Sequence, residues 1–217
     1  MYQILRILSW ILVILTIRFE RKGIQNVPLH GSLLVVANHM SVSDPVLLGI
    51  GLRRRIIFLA KEELFRNIFS AYFVRQFGAI QVFRGRSNRD ALHKTGQVLA
   101  SGGAIGMFPE GQRSKEGKMI SPQFGSALIA YHNRVAVLPV GISGTEVIRG
   151  MSWIWRRPRV VIQIGSPFYL PEGGKALNRE QLAEYSDMIM HKIAVLVPEK
   201  YRGQYQTEDT SNENKNN

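Results

Sequence analysis

The sequence contains no cysteine among its 217 residues. This absence excludes a disulfide framework, a thiol nucleophile and cysteine-ligated metal sites. Acidic residues are also scarce, because 16 Asp and Glu stand against 28 Lys and Arg, which gives a formal net charge of +12. An excess of cations predicts an anionic partner, which could be a nucleic acid, an anionic membrane or an acidic substrate or carrier.

The signatures of common nucleic-acid-binding modules are missing too. The sequence has no zinc-finger spacing, no aromatic strand typical of RNA recognition and no basic-helix heptads. Its basic residues instead lie beside large apolar ones, as in Met151–Arg157, where two tryptophans stand next to two arginines. Such a patch is typical of the head-group region of a membrane, although it also suits the approach to a strand at Val160.

No apolar run is long enough to cross a bilayer without interruption. Residues 4–17 are apolar except for Arg6, Ser9 and Thr16, and as a helix they would span about 21 Å of the roughly 30 Å hydrocarbon layer. The polar residues fall on one arc of the helix, which favours a helix lying in the interface. We therefore predict a membrane-associated N-terminal segment over residues 1–22, in which Arg18, Arg21 and Lys22 contact anionic head groups on the cytoplasmic face. A signal peptide and a buried core helix are the alternatives.

The rest of the chain alternates short apolar runs with amphipathic segments. The runs predict strands at 33–36, 56–59, 79–82, 104–108, 135–140 and 160–164. The amphipathic segments predict helices at 45–52, 64–77, 88–100, 124–132 and 178–197. This alternation predicts one α/β domain over residues 23–205, with a largely parallel central sheet flanked by helices. Residues 206–217 have no large apolar residue and are predicted to be a disordered polar tail.

A histidine and an aspartate stand five positions apart directly after the first predicted strand, at His39 and Asp44. Because proline favours the first position of a helix and aspartate favours the N-cap, a helix is predicted to begin at Pro45 with Asp44 as its cap. The intervening turn can bring Asp44 back to His39, and a histidine bonded to a carboxylate is suited to accept a proton from a hydroxyl. A structural histidine and a simple helix cap are the alternatives. No Gly-x-Ser-x-Gly elbow is present, so a substrate hydroxyl is favoured over an enzyme serine.

Two arginines lie just beyond predicted strands and are candidates for phosphate binding. Arg84 follows the strand at 79–82, and Arg113 follows the strand at 104–108. A guanidinium offers a planar pair of donors to phosphate, Gly111 permits close approach of the backbone, and Ser114 adds a further donor. Either arginine alone is more often an exposed surface residue.

Four blocks occur in one order along the chain. They are Asn38-His39-x4-Asp44-Pro45, Gly78…Val82-x-Arg84, Phe108-Pro109-Glu110-Gly111-x-Arg113-Ser114 and Leu138-Pro139-Val140-Gly141. Together they resemble the glycerolipid acyltransferases, most closely the bacterial 1-acylglycerol-3-phosphate acyltransferases. The resemblance covers about residues 20–170. Each block alone is a weak signal, but the four in this order and spacing form a specific one.

The resemblance implies a role for each of these residues. His39 would be the general base and Asp44 its orienting partner, and Pro139 would help to shape the acyl-donor or catalytic pocket. The residues implied to bind the acceptor are Lys61, Arg84, Glu110, Gly111, Arg113 and Ser114. Relatives often carry a lysine at the position of Gln123, so one phosphate contact of the family is not expected here.

The resemblance therefore implies an enzyme that moves a fatty acyl group from an acyl thioester to the free sn-2 hydroxyl of 1-acylglycerol-3-phosphate. The thioester would be acyl-CoA or an acyl carrier protein, both of which are acidic, and no cofactor or metal is implied. The enzyme would be monotopic or peripheral and would contact anionic membrane lipids but no nucleic acid. The alternatives are transfer to glycerol 3-phosphate or another lysolipid, a non-enzymatic lipid-binding protein, and a nucleic-acid binder.

Overall fold

The structure is a computed structural model that describes residues 2–66, 68–83, 89–148, 153–171 and 177–206. Its strands are β1 (Arg18–Lys22), β2 (Leu33–Ala37), β3 (Ile56–Lys61), β4 (Ile80–Val82), β5 (Ala104–Met107), β6 (Ala136–Ser143) and β7 (Arg159–Ile164). Its helices are α1 (Tyr2–Thr16), α2 (Asp44–Gly51), α3 (Glu63–Arg66), α4 (Ile68–Gln76), α5 (Arg89–Ala100), α6 (Gly125–Asn133), α7 (Trp153–Arg156), α8 (Arg179–Ala194) and α9 (Glu199–Arg202).

The strands of the described residues form one sheet in the order β1-β7-β6-β2-β5-β3-β4. Strand β2 lies at the centre, with Leu33 beside Ala104 of β5 on one side and beside Ala136 of β6 on the other. All neighbouring pairs are parallel except β6 and β7. The α/β fold with a largely parallel sheet is therefore confirmed, and the carboxyl ends of β6, β2, β5 and β3 meet at one edge.

Helices cover both faces of the sheet, which explains why β2 is apolar throughout. Leu34 and Val36 point into one core cluster, which also contains buried residues of α5, α6 and α8. Leu33, Val35 and Ala37 point into the other cluster, which contains residues of α2 and Ile17, the residue directly after α1. Because successive side chains of a strand face opposite sides, a central strand covered on both faces buries every residue.

Residues 18–22 correct the interpretation of the N-terminal segment. They form the edge strand β1, which pairs in parallel with β7 from Arg18↔Arg159 to Lys22↔Gln163, so they belong to the sheet and not to a separate N-terminal segment. The contact of Arg18, Arg21 and Lys22 with anionic head groups stays a prediction. Arg159 also donates to the Glu20 carboxylate at 2.7 and 2.8 Å. The sheet therefore begins at Arg18, shortly after the end of α1.

Helix α1 lies against the sheet with one face and leaves the other uncovered. Trp10 and Val13 pack against the core cluster, whereas Leu8, Leu12 and Leu15 are 57%, 60% and 66% exposed. In the described part of the chain, no helix combines the length and the apolar character that a bilayer crossing requires. A helix that is apolar on its uncovered face as well as on its packed face is typical of one that contacts a further apolar medium.

One further difference from the sequence prediction concerns a helix, and one prediction falls almost wholly outside the described residues. The helix predicted at 64–77 is divided into α3 and α4. Of the tail predicted at 206–217, only Gln206 is among the described residues.

Candidate active site

The central edge of the sheet brings the chemically interesting residues together. His39 follows β2, Glu110 and Arg113 follow β5, Lys61 ends β3 and Thr145 follows β6. These four strands run in parallel through the sheet, so their carboxyl ends share one edge. Open α/β sheets bind their ligands at this edge.

Asn38 extends the pairing of β2 with β6 by one residue. Its side-chain Nδ2 donates to the carbonyl of Ile142 at 2.9 Å, and the N–H of Ile142 donates to its Oδ1 at 2.7 Å. Asn38 is 1% exposed, so both polar atoms of the amide satisfy buried main-chain groups. This contact fixes where the chain leaves the sheet and therefore where His39 lies.

His39 and Asp44 form the pair that the sequence predicts. Nδ1 of His39 lies 2.9 Å from Oδ2 of Asp44, which is completely buried, whereas the His39 side chain is 16% exposed. The N–H groups of Met40 and Ser41 donate to the same oxygen, each at 2.7 Å. The carboxylate is thus held by two main-chain donors while it orients the ring.

The prediction that Asp44 caps the helix is wrong. Ser43 occupies the N-cap and Asp44 is the first residue of α2, followed by Pro45. The Asp44 carboxylate turns back toward the preceding turn, because the N–H groups of Met40 and Ser41 lie there. Its negative charge still lies in the first turn of the helix, where the helix dipole stabilises an anion.

The His39 ring is fixed on its face as well as at its edge. It stacks on Phe108, with ring centroids 4.0 Å apart and planes 18° apart, and Phe108 in turn stacks on Phe58. When Nδ1 donates to Asp44, Nε2 is the unprotonated nitrogen that can accept a proton. The arrangement is therefore chemically competent for general-base catalysis by Nε2.

Glu110 binds the main chain of His39 through its carboxylate. Its Oε1 accepts from the N–H of His39 at 2.8 Å, and its Oε2 accepts from the N–H of Ile120 at 3.1 Å. Glu110 is only 2% exposed. Burial raises the pKa of Glu110 to about 7, against the opposing effect of the two N–H donors.

A cavity of about 620 Å³ opens beside this turn. Met40, Ser41 and Val42 form one wall, although His39 itself is not among the lining residues. The cations Lys61, Arg113 and Lys115 contribute to the lining, and the described lining residues include no carboxylate. A cationic pocket beside a histidine suits a substrate that carries a phosphate near a hydroxyl.

The structure brings some of the predicted binding residues to this pocket and not others. Lys61, Arg113 and Ser114 line it. Gly111 lies in the adjacent turn at φ 66°, a conformation that disfavours any side chain. Pro139 is buried within β6, opposite Val36, away from the cavity lining. Arg84 lies outside the described residues.

The binding residues predicted from the sequence omit four polar lining residues, namely Ser41, Gln112, Lys115 and Thr145. Gln112 and Lys115 flank the recognised arginine and serine, so their proximity along the chain was a usable signal. Thr145 follows β6, and nothing in its local sequence distinguishes it from a residue in any tight loop. Among the described residues, no group of His, Asp and Glu side chains is arranged to hold a metal ion.

Comparison with known proteins assigns the class to which this fold and site belong. The model of the Acyltransferase family matches residues 18–143. That span is more than half of the 217 residues. It begins at β1 and includes the histidine turn and the loop after β5. The chain therefore belongs to the acyltransferase family, and the resemblance noted from its four blocks is confirmed.

Several relatives carry the same printed name, 1-acyl-sn-glycerol-3-phosphate acyltransferase. The protein from Bacillus subtilis is 24% identical over 173 residues, which are 79% of this chain and 84% of the relative. The protein from Streptococcus pneumoniae is 29% identical over 158 residues, which are 72% of this chain and 57% of the relative. The chain thus spans little more than half the length of the second relative.

A solved structure shares the fold. The 1-acyl-sn-glycerophosphate (LPA) acyltransferase PlsC from Thermotoga maritima superimposes with a TM-score of 0.69 at 27% sequence identity. The match covers 90% of this chain and 78% of the other.

Proposed function

We propose that this protein transfers a fatty acyl group from an acyl thioester to the sn-2 hydroxyl of 1-acylglycerol-3-phosphate, which forms phosphatidate for phospholipid synthesis. The observation that carries the proposal is the oriented His39–Asp44 pair beside a cavity lined by Lys61 and Arg113. The names of the relatives support the same acceptor.

In the proposed reaction, His39 acts on the hydroxyl of the acceptor. Its Nε2 accepts the hydroxyl proton as the oxygen attacks the thioester carbonyl. The new C–O bond forms, the C–S bond breaks, and the imidazolium returns the proton to the leaving thiolate. Asp44 lies 2.9 Å from Nδ1 and stabilises the imidazolium while keeping the ring in place.

The phosphate of the acceptor supplies orientation. Lys61 and Arg113 line the cavity and are the proposed phosphate ligands, together with the donor Ser114. Holding the reacting hydroxyl near Nε2 converts a bimolecular encounter into a positioned one, which contributes strongly to rate. The net charge of +12 favours an acidic donor, either coenzyme A or an acyl carrier protein.

The substrate would be reached from a membrane surface. The uncovered face of α1 presents leucines and isoleucines that are 45–66% exposed. Arg157, which directly follows α7, donates to the carbonyl of Ile14 in this helix, and the neighbouring Trp155 is 91% exposed. Exposed tryptophan beside arginines suits the head-group layer, so we propose monotopic or peripheral attachment to the cytoplasmic face.

A product analysis tests the proposal. The purified protein would be offered lysophosphatidate, glycerol 3-phosphate and an uncharged lysolipid, each with acyl-CoA and with acylated carrier protein. We expect phosphatidate from lysophosphatidate, detected by mass spectrometry, and little product from the acceptor without phosphate. Transfer to a different acceptor would show that the natural acceptor is not lysophosphatidate. Tight lipid binding with no transfer to any acceptor would instead show a non-enzymatic lipid-binding protein.

A further inference from the structure

Glu110 lies beside the proposed phosphate site but does not face it. The residue is 2% exposed, and each of its carboxylate oxygens accepts a main-chain N–H, from His39 at 2.8 Å and from Ile120 at 3.1 Å. It is not among the residues that line the cavity. A buried carboxylate that is absent from the cavity lining is poorly placed to contact a ligand there, and its charge would repel a phosphate.

We propose that Glu110 is a positioning residue for His39 and not a ligand of the acceptor. This inference rests on the proposed function, in which His39 is the base. It replaces the role that the family resemblance implied for Glu110, since it assigns the carboxylate to the main chain of the base.

The proposal follows from how the His39 peptide is held. Glu110 accepts from its N–H, while the N–H of Ser114 donates to its carbonyl at 2.8 Å. Both contacts come from the loop after β5, which lies next to β2 in the sheet. The preceding residue, Asn38, is tied to β6 by two further bonds. Because the N–H and the carbonyl of His39 and the preceding residue are all hydrogen-bonded, the ring is kept at one distance from the substrate hydroxyl.

The second oxygen of Glu110 connects this turn to the C-terminal segment. Ile120, which donates to that oxygen, follows Met119, whose N–H donates to the carbonyl of Tyr201 at 2.7 Å. Gly203 approaches the same loop so closely that a Cβ there would lie 2.3 Å from the carbonyl oxygen of Met119. The loop that contains Ile120 is therefore also bound to the C-terminal segment. The Glu110 carboxylate thus links the His39 turn to a loop that is itself anchored.

The two hydrogen bonds that Glu110 accepts depend on the ionisation of its carboxyl group. Only the ionised carboxylate offers both oxygens as full acceptors, because protonation turns one oxygen into a hydroxyl that opposes an N–H donor. The titratable groups near Glu110 are Asp44, whose negative charge raises the Glu110 pKa, and His39 and Tyr205. With a pKa of about 7, Glu110 changes its charge within the working range of most enzymes. We therefore expect the positioning of His39 to weaken as the pH falls below 7.

Steady-state kinetics on four variants test the role. Glu110→Gln keeps one acceptor oxygen, Glu110→Ala keeps none, and Arg113→Ala removes a proposed phosphate ligand. Glu116→Gln is the matched control, since it removes the same charge from an exposed residue of the same loop. A positioning role predicts that Glu110→Gln lowers kcat about tenfold to a hundredfold while KM for lysophosphatidate stays within about twofold. The kcat of Glu110→Ala should be lower still, and Arg113→Ala should mainly raise KM for lysophosphatidate.

The pH profile separates positioning from a general loss of fold. Because the wild type loses the ionised carboxylate below pH 7 and the glutamine variant has none to lose, the ratio of the two kcat values should approach one as the pH falls from 8 to 6. A constant ratio would contradict the proposal. A Glu110→Gln variant with wild-type kcat would also contradict the proposal. This holds whether its KM for lysophosphatidate is as high as that of Arg113→Ala or equal to that of the wild type.

A readout without turnover keeps this test separate from the proposed function. Reaction of His39 with diethyl pyrocarbonate, located by peptide mass spectrometry, should be faster in Glu110→Gln than in Glu116→Gln, because the ring is less firmly held against Phe108. Equal rates would contradict the positioning role. If the wild type transfers no acyl group, the proposed function fails, whereas the modification rates still decide whether Glu110 fixes His39.

Discussion

At the scale of single residues, Asp44 joins two tasks that the sequence could not separate. Its Oδ2 orients His39 and also accepts from Met40 and Ser41, while its buried Oδ1 has no hydrogen-bond partner among the described residues. An asparagine can place its carbonyl oxygen at the position of Oδ2 and its amide nitrogen at that of Oδ1. The substitution therefore preserves the turn but removes the charge.

We expect Asp44→Asn to lower kcat by about a hundredfold to ten-thousandfold, because the imidazolium loses its counter-charge and the ring can adopt the wrong tautomer. The free energy of unfolding should fall by no more than about 2 kcal/mol, since the two main-chain donors keep an acceptor. Acyl transfer and urea unfolding measure the two effects. Asp90→Asn on the exposed side of α5 is the matched control and should change neither. Unchanged turnover in Asp44→Asn would remove Asp44 from the mechanism.

The site residues show which kinds of signal the sequence carries. His39 and Arg113 were predictable because their residue types and positions after strands suit the chemistry, whereas Lys61 was predicted only from the family resemblance. The orientation of Glu110 was not, because the same residue type serves a ligand or a backbone amide, and only the fold brings the N–H groups of His39 and Ile120 to it. Thr145 reaches the pocket through sheet topology alone.

At the scale of elements, β1 illustrates a strand that has no local signal. Its sequence, Arg-Phe-Glu-Arg-Lys, is polar, and none of its residues is fully buried because it lies at the edge of the sheet. It forms because β7, which is distant in sequence, offers a free row of main-chain groups. The central strands were predictable, since a strand buried on both faces must be apolar throughout.

Helix α1 allows a matched test of membrane attachment. Leu12 on its uncovered face is 60% exposed, and Leu92 on α5, which covers the opposite face of the sheet, is 40% exposed. We expect Leu12→Glu to weaken binding to anionic vesicles by about tenfold or more, because an inserted leucine contributes about 1.5–3 kcal/mol. Leu92→Glu adds the same charge and should bind almost as the wild type does. Sedimentation with vesicles measures both, and equal losses would show that net charge, not the α1 face, governs attachment.

At the scale of the whole molecule, the fold and the proposed chemistry make opposite demands on Glu110. Burial disfavours the ionised form of this carboxyl and raises its pKa to about 7, whereas the positioning of His39 needs the ionised form. The two N–H donors reduce the cost of ionisation without removing it. A molecule built for stability alone would place a neutral side chain here, so the conflict itself is consistent with a role in function.

This conflict predicts a pH dependence of stability. The pKa of Glu110 is raised from 4.5 to about 7, so between these values the folded protein binds more protons at this site than the unfolded chain does. The free energy of unfolding contributed by Glu110 therefore falls as the pH rises through this interval, by up to about 1.4 kcal/mol per pH unit. Urea unfolding in detergent at pH 5 and pH 7.5 should show a larger loss of stability in the wild type than in Glu110→Gln. Because every other titrating group is shared by the two proteins, parallel changes would mean that Glu110 is already ionised at pH 5, and the protein would then incur no such stability cost near neutral pH.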